Sequence, residues 1–205
     1  MNRVNPFAPV YKRLNHPHPC SSDMPILIDI EITNACNFNC LFCPTGTKAY
    51  NRPVGFMTGE MYGQIIDQIA PFKIPLRFIR WGEPTLHKNF VSYLRIAKDA
   101  GLHVHLGTNG SKLNEQVILQ LLEMKLDSIK FSFQGVDEKT YSEMRYGQSY
   151  EELVDTVKLF YKMRGDLPYP FMHITTTVTY ESPDMIKVLL LLTSLKAKEK
   201  TVRYE

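Results

Sequence analysis

Cys36, Cys40 and Cys43 stand in the run Cys-Asn-Phe-Asn-Cys-Leu-Phe-Cys, a C-x3-C-x2-C spacing, and the chain's other cysteine is Cys20. Three thiols this close together ask for a shared metal. Three sulfurs leave a tetrahedral zinc one ligand short, whereas a four-iron cluster held by three cysteines keeps one iron open to a small molecule. A zinc site would need a histidine as its fourth ligand, and none lies nearby at finger spacing. His16, His18 and Cys20 match no ligand pattern and read as part of a surface loop.

The elements that must position these cysteines are legible from periodicity. Residues 1–24, with Pro6, Pro9, Pro17 and Pro19, show no period and read as an irregular arm; residues 25–205 read as one core. Apolar, β-rich runs fall near 26–33, 75–81, 103–108, 127–134 and 171–179, alternating with helical runs near 59–70, 88–100, 114–124, 150–164 and 183–196. Ser149-Tyr150-Glu151-Glu152 is a capping box, Asn114 can cap the third helix, and Ser182-Pro183 places a cap before a proline. Gly101 ends the second helix and Pro71 follows the first. Strand–helix alternation implies βαβ units and a parallel sheet.

The strands alternate in character. Ile28, Ile30 and Ile32 alternate with Asp29, Glu31 and Thr33. Val104 and Leu106 alternate with His103 and His105, and Ile129, Phe131 and Phe133 with Lys130, Ser132 and Gln134. Ile174 and Val178 alternate with His173, Thr175 and Thr177. A closed eight-stranded barrel fills its interior with branched apolar residues. A polar interior instead predicts an open, partial (βα)6-type barrel, TIM-like, with a wet cavity and its sixth unit truncated. Glu31, His105, Lys130 and His173 are candidate substrate contacts on that face, with mutual structural pairing as the alternative.

Sites in parallel α/β sheets sit at the carboxyl ends of the strands. The cysteine run follows the first strand. Trp81-Gly82-Glu83-Pro84 follows the second, Thr108-Asn109-Gly110 the third, and Ser132-Phe133-Gln134-Gly135 ends the fourth. Four unusual segments therefore share one rim.

On these residues the chain resembles the radical S-adenosylmethionine (SAM) superfamily. The family's C-x3-C-x-aromatic-C motif is matched at Cys36, Cys40, Phe42 and Cys43. Its Gly-Gly-Glu-Pro motif is matched at Gly82, Glu83 and Pro84, with Trp81 in place of the first glycine. The resemblance covers about residues 25–205. It implies a [4Fe-4S] cluster on the three cysteines and SAM chelated to the fourth iron. Phe42 would lie against the adenine, and Gly82 and Glu83 would accept hydrogen bonds from the methionine ammonium. Ser132 and Gln134, with Asn109 as a further candidate, would contact the ribose, and Arg145 would pair with the SAM carboxylate. The implied activity is that of an oxidoreductase supplied with electrons by a flavodoxin or ferredoxin. SAM is cleaved reductively, and a hydrogen atom is taken from an unidentified substrate.

Composition agrees. A net charge of +3 with no basic run gives no reason to expect nucleic acid, and no apolar stretch is long enough to cross a membrane. Met1-Asn2-Arg3-Val4-Asn5-Pro6 lacks the features of a signal peptide, and clustered cysteines suit a reducing compartment, so a cytoplasmic location is expected. The run Val188-Leu189-Leu190-Leu191-Leu192 wants cover on more than one side. It leads to the expectation of a missing C-terminal part or a partner chain, and to an alternative reading as a truncated, non-catalytic cluster- or SAM-binding module. The segment from Cys36 to Glu83 resembles the peptide-maturase (SPASM-like) branch most, although no cysteine follows Cys43 to hold an auxiliary cluster.

Overall fold

A computed structural model describes residues 25–135 and 137–176. The expected arm, the helix near 183–196 and the start of a sixth strand lie outside the described residues. Five parallel strands form one sheet: β1 (Ile28–Ile30), β2 (Leu76–Phe78), β3 (Val104–Thr108), β4 (Ser128–Phe133) and β5 (Phe171–Thr176). Their spatial order is their chain order. Every crossover thus steps the same way, which winds a barrel, whereas a doubly wound sheet reverses direction at a switch point. Among the described residues the sheet is not closed.

The crossovers carry α1 (Gly59–Ile69), α2 (Phe90–Asp99), α3 (Glu115–Glu123), α4 (Glu138–Met144) and α5 (Tyr150–Arg164). Thr58, Asn114 and Ser149 cap α1, α3 and α5, the last through a reciprocal bond with Glu152. Helix α4 is an addition to the elements expected. Asp137 and Thr140 form its capping box, and Tyr141 is its buried residue. Ile30, Phe78, Leu106, Ile129 and Phe131 face the helices and are buried with Ile66, Leu94, Ile118, Leu121 and Phe160.

The opposite face is polar, as the alternation implied. Arg77 holds Asp29 through two bonds of 2.7 and 3.0 Å. Arg52 holds Glu31, whose Oε1 also accepts from the Trp81 N–H. His105 Nδ1 lies 2.7 Å from Ser128 Oγ. For Glu31 and His105, structural pairing is therefore what the fold shows. Lys130 and His173 are register partners, and the His105 and His173 rings meet edge-on at 6.0 Å. Burial pushes both imidazoles down, His173 to about 4, with the nearby Lys130 charge acting in the same direction. Strand β1 is shorter than its apolar run because Thr33 leaves the sheet to bridge Phe56. No described helix is long and apolar enough to cross a membrane.

Candidate cofactor site

The loop leaving β1 is closed at its root by polar side chains. Thr33 Oγ1 donates to Gly55 O at 2.8 Å and accepts from the Ala35 N–H at 3.0 Å. Asn34 clasps Pro53 O and the Gly55 N–H. Beyond this root come the cysteines. Cys40 is buried, and Cys36 and Cys43 are half-buried. The Cys43 N–H donates to Cys40 O, and the Thr47 N–H to Cys43 O, coiling the run into a tight turn. Phe38 is buried beneath it, and Phe42 packs half-buried on the core.

Burial pushes the Cys36 thiol up to about 11 and raises Cys40, while Arg145 pulls Cys40 back down. Thiols in such surroundings ionise when a metal supplies the compensating charge. Among the described residues no three His, Cys, Asp or Glu side chains are gathered for one ion. Sulfurs on one tetrahedral zinc stand roughly 4 Å apart, given Zn–S bonds of about 2.3 Å. Ligands on different irons of a cluster stand wider. The donor set, three free thiols within eight residues with the buried Arg145 nearby, suits an iron–sulfur cluster that keeps one iron open.

The segment after β2 locks onto this loop. The Glu83 N–H donates to Ala35 O at 2.8 Å. A Cβ on Gly82 would stand 1.9 Å from Thr33 O, so only glycine lets the two backbones approach. Gly82→Ala is expected to cost about 1–3 kcal/mol by overpacking, read as a lowered thermal midpoint of the apo chain. Pro84 is buried at the start of a short 3-10 turn, Pro84–Leu86. The Glu83 side chain is buried, and four donors occupy it. Oε1 accepts from Thr85 N–H, Thr85 Oγ1 and Thr108 Oγ1, and Oε2 from the Asn109 N–H at 2.7 Å.

The β3 exit is joined in turn. Asn109 Nδ2 donates to Asn37 Oδ1 at 3.0 Å, and Asn109 Oδ1 accepts from Ser111. Asn37 Nδ2 donates to Ser111 Oγ at 2.8 Å. At the end of β4, Ser132 is half-buried, and Gln134 is buried with Thr176 Oγ1 within 3.4 Å of its Oε1. Arg145, just past α4, is buried with its guanidinium 5.2 Å over the Phe38 ring and 6.0 Å from the Tyr141 ring. Gly82, Glu83, Asn109 and Arg145 are thus all tied to the cysteine loop. Asn37, Phe38 and Tyr141 were given no role by the sequence, and Thr108 was seen only as part of the rim segment after β3. The Asp137–Thr140 spacing was the available signal for the α4 group.

A family model described as the Radical SAM superfamily matches residues 30–192. The AdoMet-dependent heme synthase of Methanosarcina barkeri is 28% identical over 159 residues, 77% of this chain and 44% of that protein. The PqqA peptide cyclase of Bradyrhizobium diazoefficiens is 27% identical over 115 residues, 56% of this chain and 30% of that protein. The crystal structure of Streptococcus suis SuiB bound to S-adenosylmethionine superposes with a TM-score of 0.66 over 84% of this chain and 39% of that one, at 19% identity. The chain spans less than half the length of the curated relatives named here.

Proposed function

The chain belongs to the radical SAM superfamily, and we propose that it is a radical SAM enzyme, or the catalytic core of one. In this reading Cys36, Cys40 and Cys43 hold a [4Fe-4S] cluster. SAM lies along the rim formed by Phe42, Gly82, Glu83, Pro84, Asn109, Ser132, Gln134 and Arg145. The bound pair supplies reductive cleavage of the sulfonium bond and removal of a hydrogen atom from substrate.

The chain's own residues bind and orient. The Glu83 carboxylate is held by four protein donors, so the methionine ammonium is left to the backbone carbonyls of Gly82 and Glu83, which offer lone pairs. Phe42 offers a flat face for adenine, and Ser132 and Gln134 offer hydroxyl and amide groups to the ribose. The polar face with Lys130 and His173 meets the substrate, which remains unidentified. Electrons come from a flavodoxin- or ferredoxin-type donor. The observation that carries this reading is the interlocking of the three-cysteine loop with the exits of β2 and β3 inside the family match.

Anaerobic reconstitution with iron and sulfide should give a brown protein that, with dithionite and SAM, releases 5′-deoxyadenosine and methionine. SAM binding without cleavage would favour the non-catalytic module. One equivalent of zinc and no iron in anaerobically purified protein would sink both.

A further inference from the structure

Asn37 lies inside the cysteine run, between Cys36 and Phe38, and its side chain closes a ring with the turn that leaves β3. Asn37 Nδ2 donates to Ser111 Oγ at 2.8 Å, Ser111 Oγ donates to Asn109 Oδ1 at 2.7 Å, and Asn109 Nδ2 donates to Asn37 Oδ1 at 3.0 Å. The Ser111 N–H adds a further bond to Asn109 Oδ1 at 3.0 Å. Donors and acceptors follow one another around the ring, so turning either amide over would set donor against donor.

The turn is the rigid half of this ring. Thr108 Oγ1 donates to the buried Glu83 carboxylate and accepts from the Gly110 N–H at 3.0 Å. Gly110 has φ +83°, where any side chain would be strained, and the Asn109 N–H is held on Glu83 Oε2. The cysteine loop is anchored on either side of Asn37. Thr33 and Asn34 close its root, and the Asn39 and Leu41 N–H groups reach Tyr146 O and Met144 O. Between these anchorages Asn37 ties the loop to the β3 exit. Asn37 is itself exposed, so burial of the core does not require the ring.

We infer that Asn37 is a positioning residue. Through Ser111 and Asn109 it holds the cysteine loop at a fixed offset from the SAM rim, so that the two halves of the site are in register before SAM arrives. The inference rests on the cluster and SAM assignments proposed above. Asn109 keeps its place on the rim: its Nδ2 carries two hydrogens, Asn37 takes one, and the other stays with the ribose. A site that holds its binding arrangement only part of the time binds its ligand more weakly in proportion to that fraction.

The test compares Asn37→Ala, Ser111→Ala and the double variant as anaerobically reconstituted full chains. Iron content, SAM affinity and the melting temperature of the apo chain are measured, with electron paramagnetic resonance of the reduced cluster across a SAM titration. Each single variant should keep its iron, since the three thiols are untouched. Each should bind SAM about tenfold more weakly, as expected if the competent arrangement falls to roughly one tenth of the population. The SAM-induced change in the resonance spectrum should then need about tenfold more SAM. The double variant should be no worse than either single one, because the ring is already open. Ser111→Thr, which keeps the hydroxyl, should stay near wild type. Wild-type SAM affinity in both alanine variants, with or without a lowered melting temperature, would make the ring a local brace and overturn the inference. So would losses that multiply in the double variant, or iron that falls in step with SAM affinity. A wild-type chain that takes up no cluster would instead remove the cluster assignment itself, and the inference with it.

Discussion

Cys40→Ser is expected to abolish cluster binding, leaving a reconstituted protein with little iron or acid-labile sulfide and no visible charge-transfer absorption. Cys40 sits at the centre of the site: it is buried and coiled against Cys43, and its neighbours Asn39 and Leu41 are bonded to the segment just past α4. Loss of a partner that merely orients a metal ligand costs about 10–100-fold in metal affinity or activity. Loss of a thiolate ligand itself should exceed that, so 5′-deoxyadenosine release should fall more than ~100-fold. Serine is close in size to cysteine, so circular dichroism of the apo chain should stay near wild type while iron content collapses. Cys36→Ser and Cys43→Ser should behave alike, since each removes one of three ligands. Cys20→Ser, outside the C-x3-C-x2-C spacing, should keep its iron. A Cys40→Ser protein with full iron and undiminished cleavage would overturn the ligand assignment.

The framework around these cysteines was legible because it is written in periodicity. The period-two runs gave five strands, and the period near 3.6 with the Ser149–Glu152 capping box gave α5. Helix α4 escaped because Glu138–Met144 buries chiefly Tyr141 and so shows no apolar stripe. Short apolar runs mark a strand's middle better than its ends, which is why β1 and β2 came out shorter than expected. The rim segments were visible as unusual residues at strand ends, but their partners were not. Which donor reaches Glu83 depends on the register of β2 against β3, Leu76 beside Val104 and Phe78 beside Leu106. Periodicity leaves that offset open. Phe38 and Phe42 show the same limit: both are aromatic and close in sequence, yet Phe38 is sealed under the loop and Phe42 remains half-buried. Arg145 could be placed near the site by resemblance, whereas its burial over the Phe38 ring required the structure.

Glu83→Ala should be the most damaging change to stability outside the ligands, lowering the apo chain by about 2–6 kcal/mol, the cost of two buried amides left without an acceptor at about 1–3 kcal/mol each. Truncation leaves four donors facing a void: the Thr85 and Asn109 amides and the Thr85 and Thr108 hydroxyls. A buried donor without a partner costs about 1–3 kcal/mol, and the hydroxyls can turn elsewhere while the amides cannot. Glu83→Gln separates charge from shape. Its oxygen can take the three donors at Oε1, but its NH2 group then meets the Asn109 N–H, donor against donor, for a loss of about 1–3 kcal/mol. The pH dependence carries a further signature. Burial pushes the Glu83 carboxyl above its ordinary range, and the four hydrogen bonds pull only part of the way back. A folded state that holds the proton more tightly than the unfolded one loses stability as pH rises between the two values. The glutamate's contribution is thus full below the unfolded value, about 4.3, and declines upward from there. Chemical denaturation across that range should show the wild-type advantage over Glu83→Gln shrinking as pH rises. An advantage that grows instead would mean that the four donors outweigh burial and hold the carboxylate ionised.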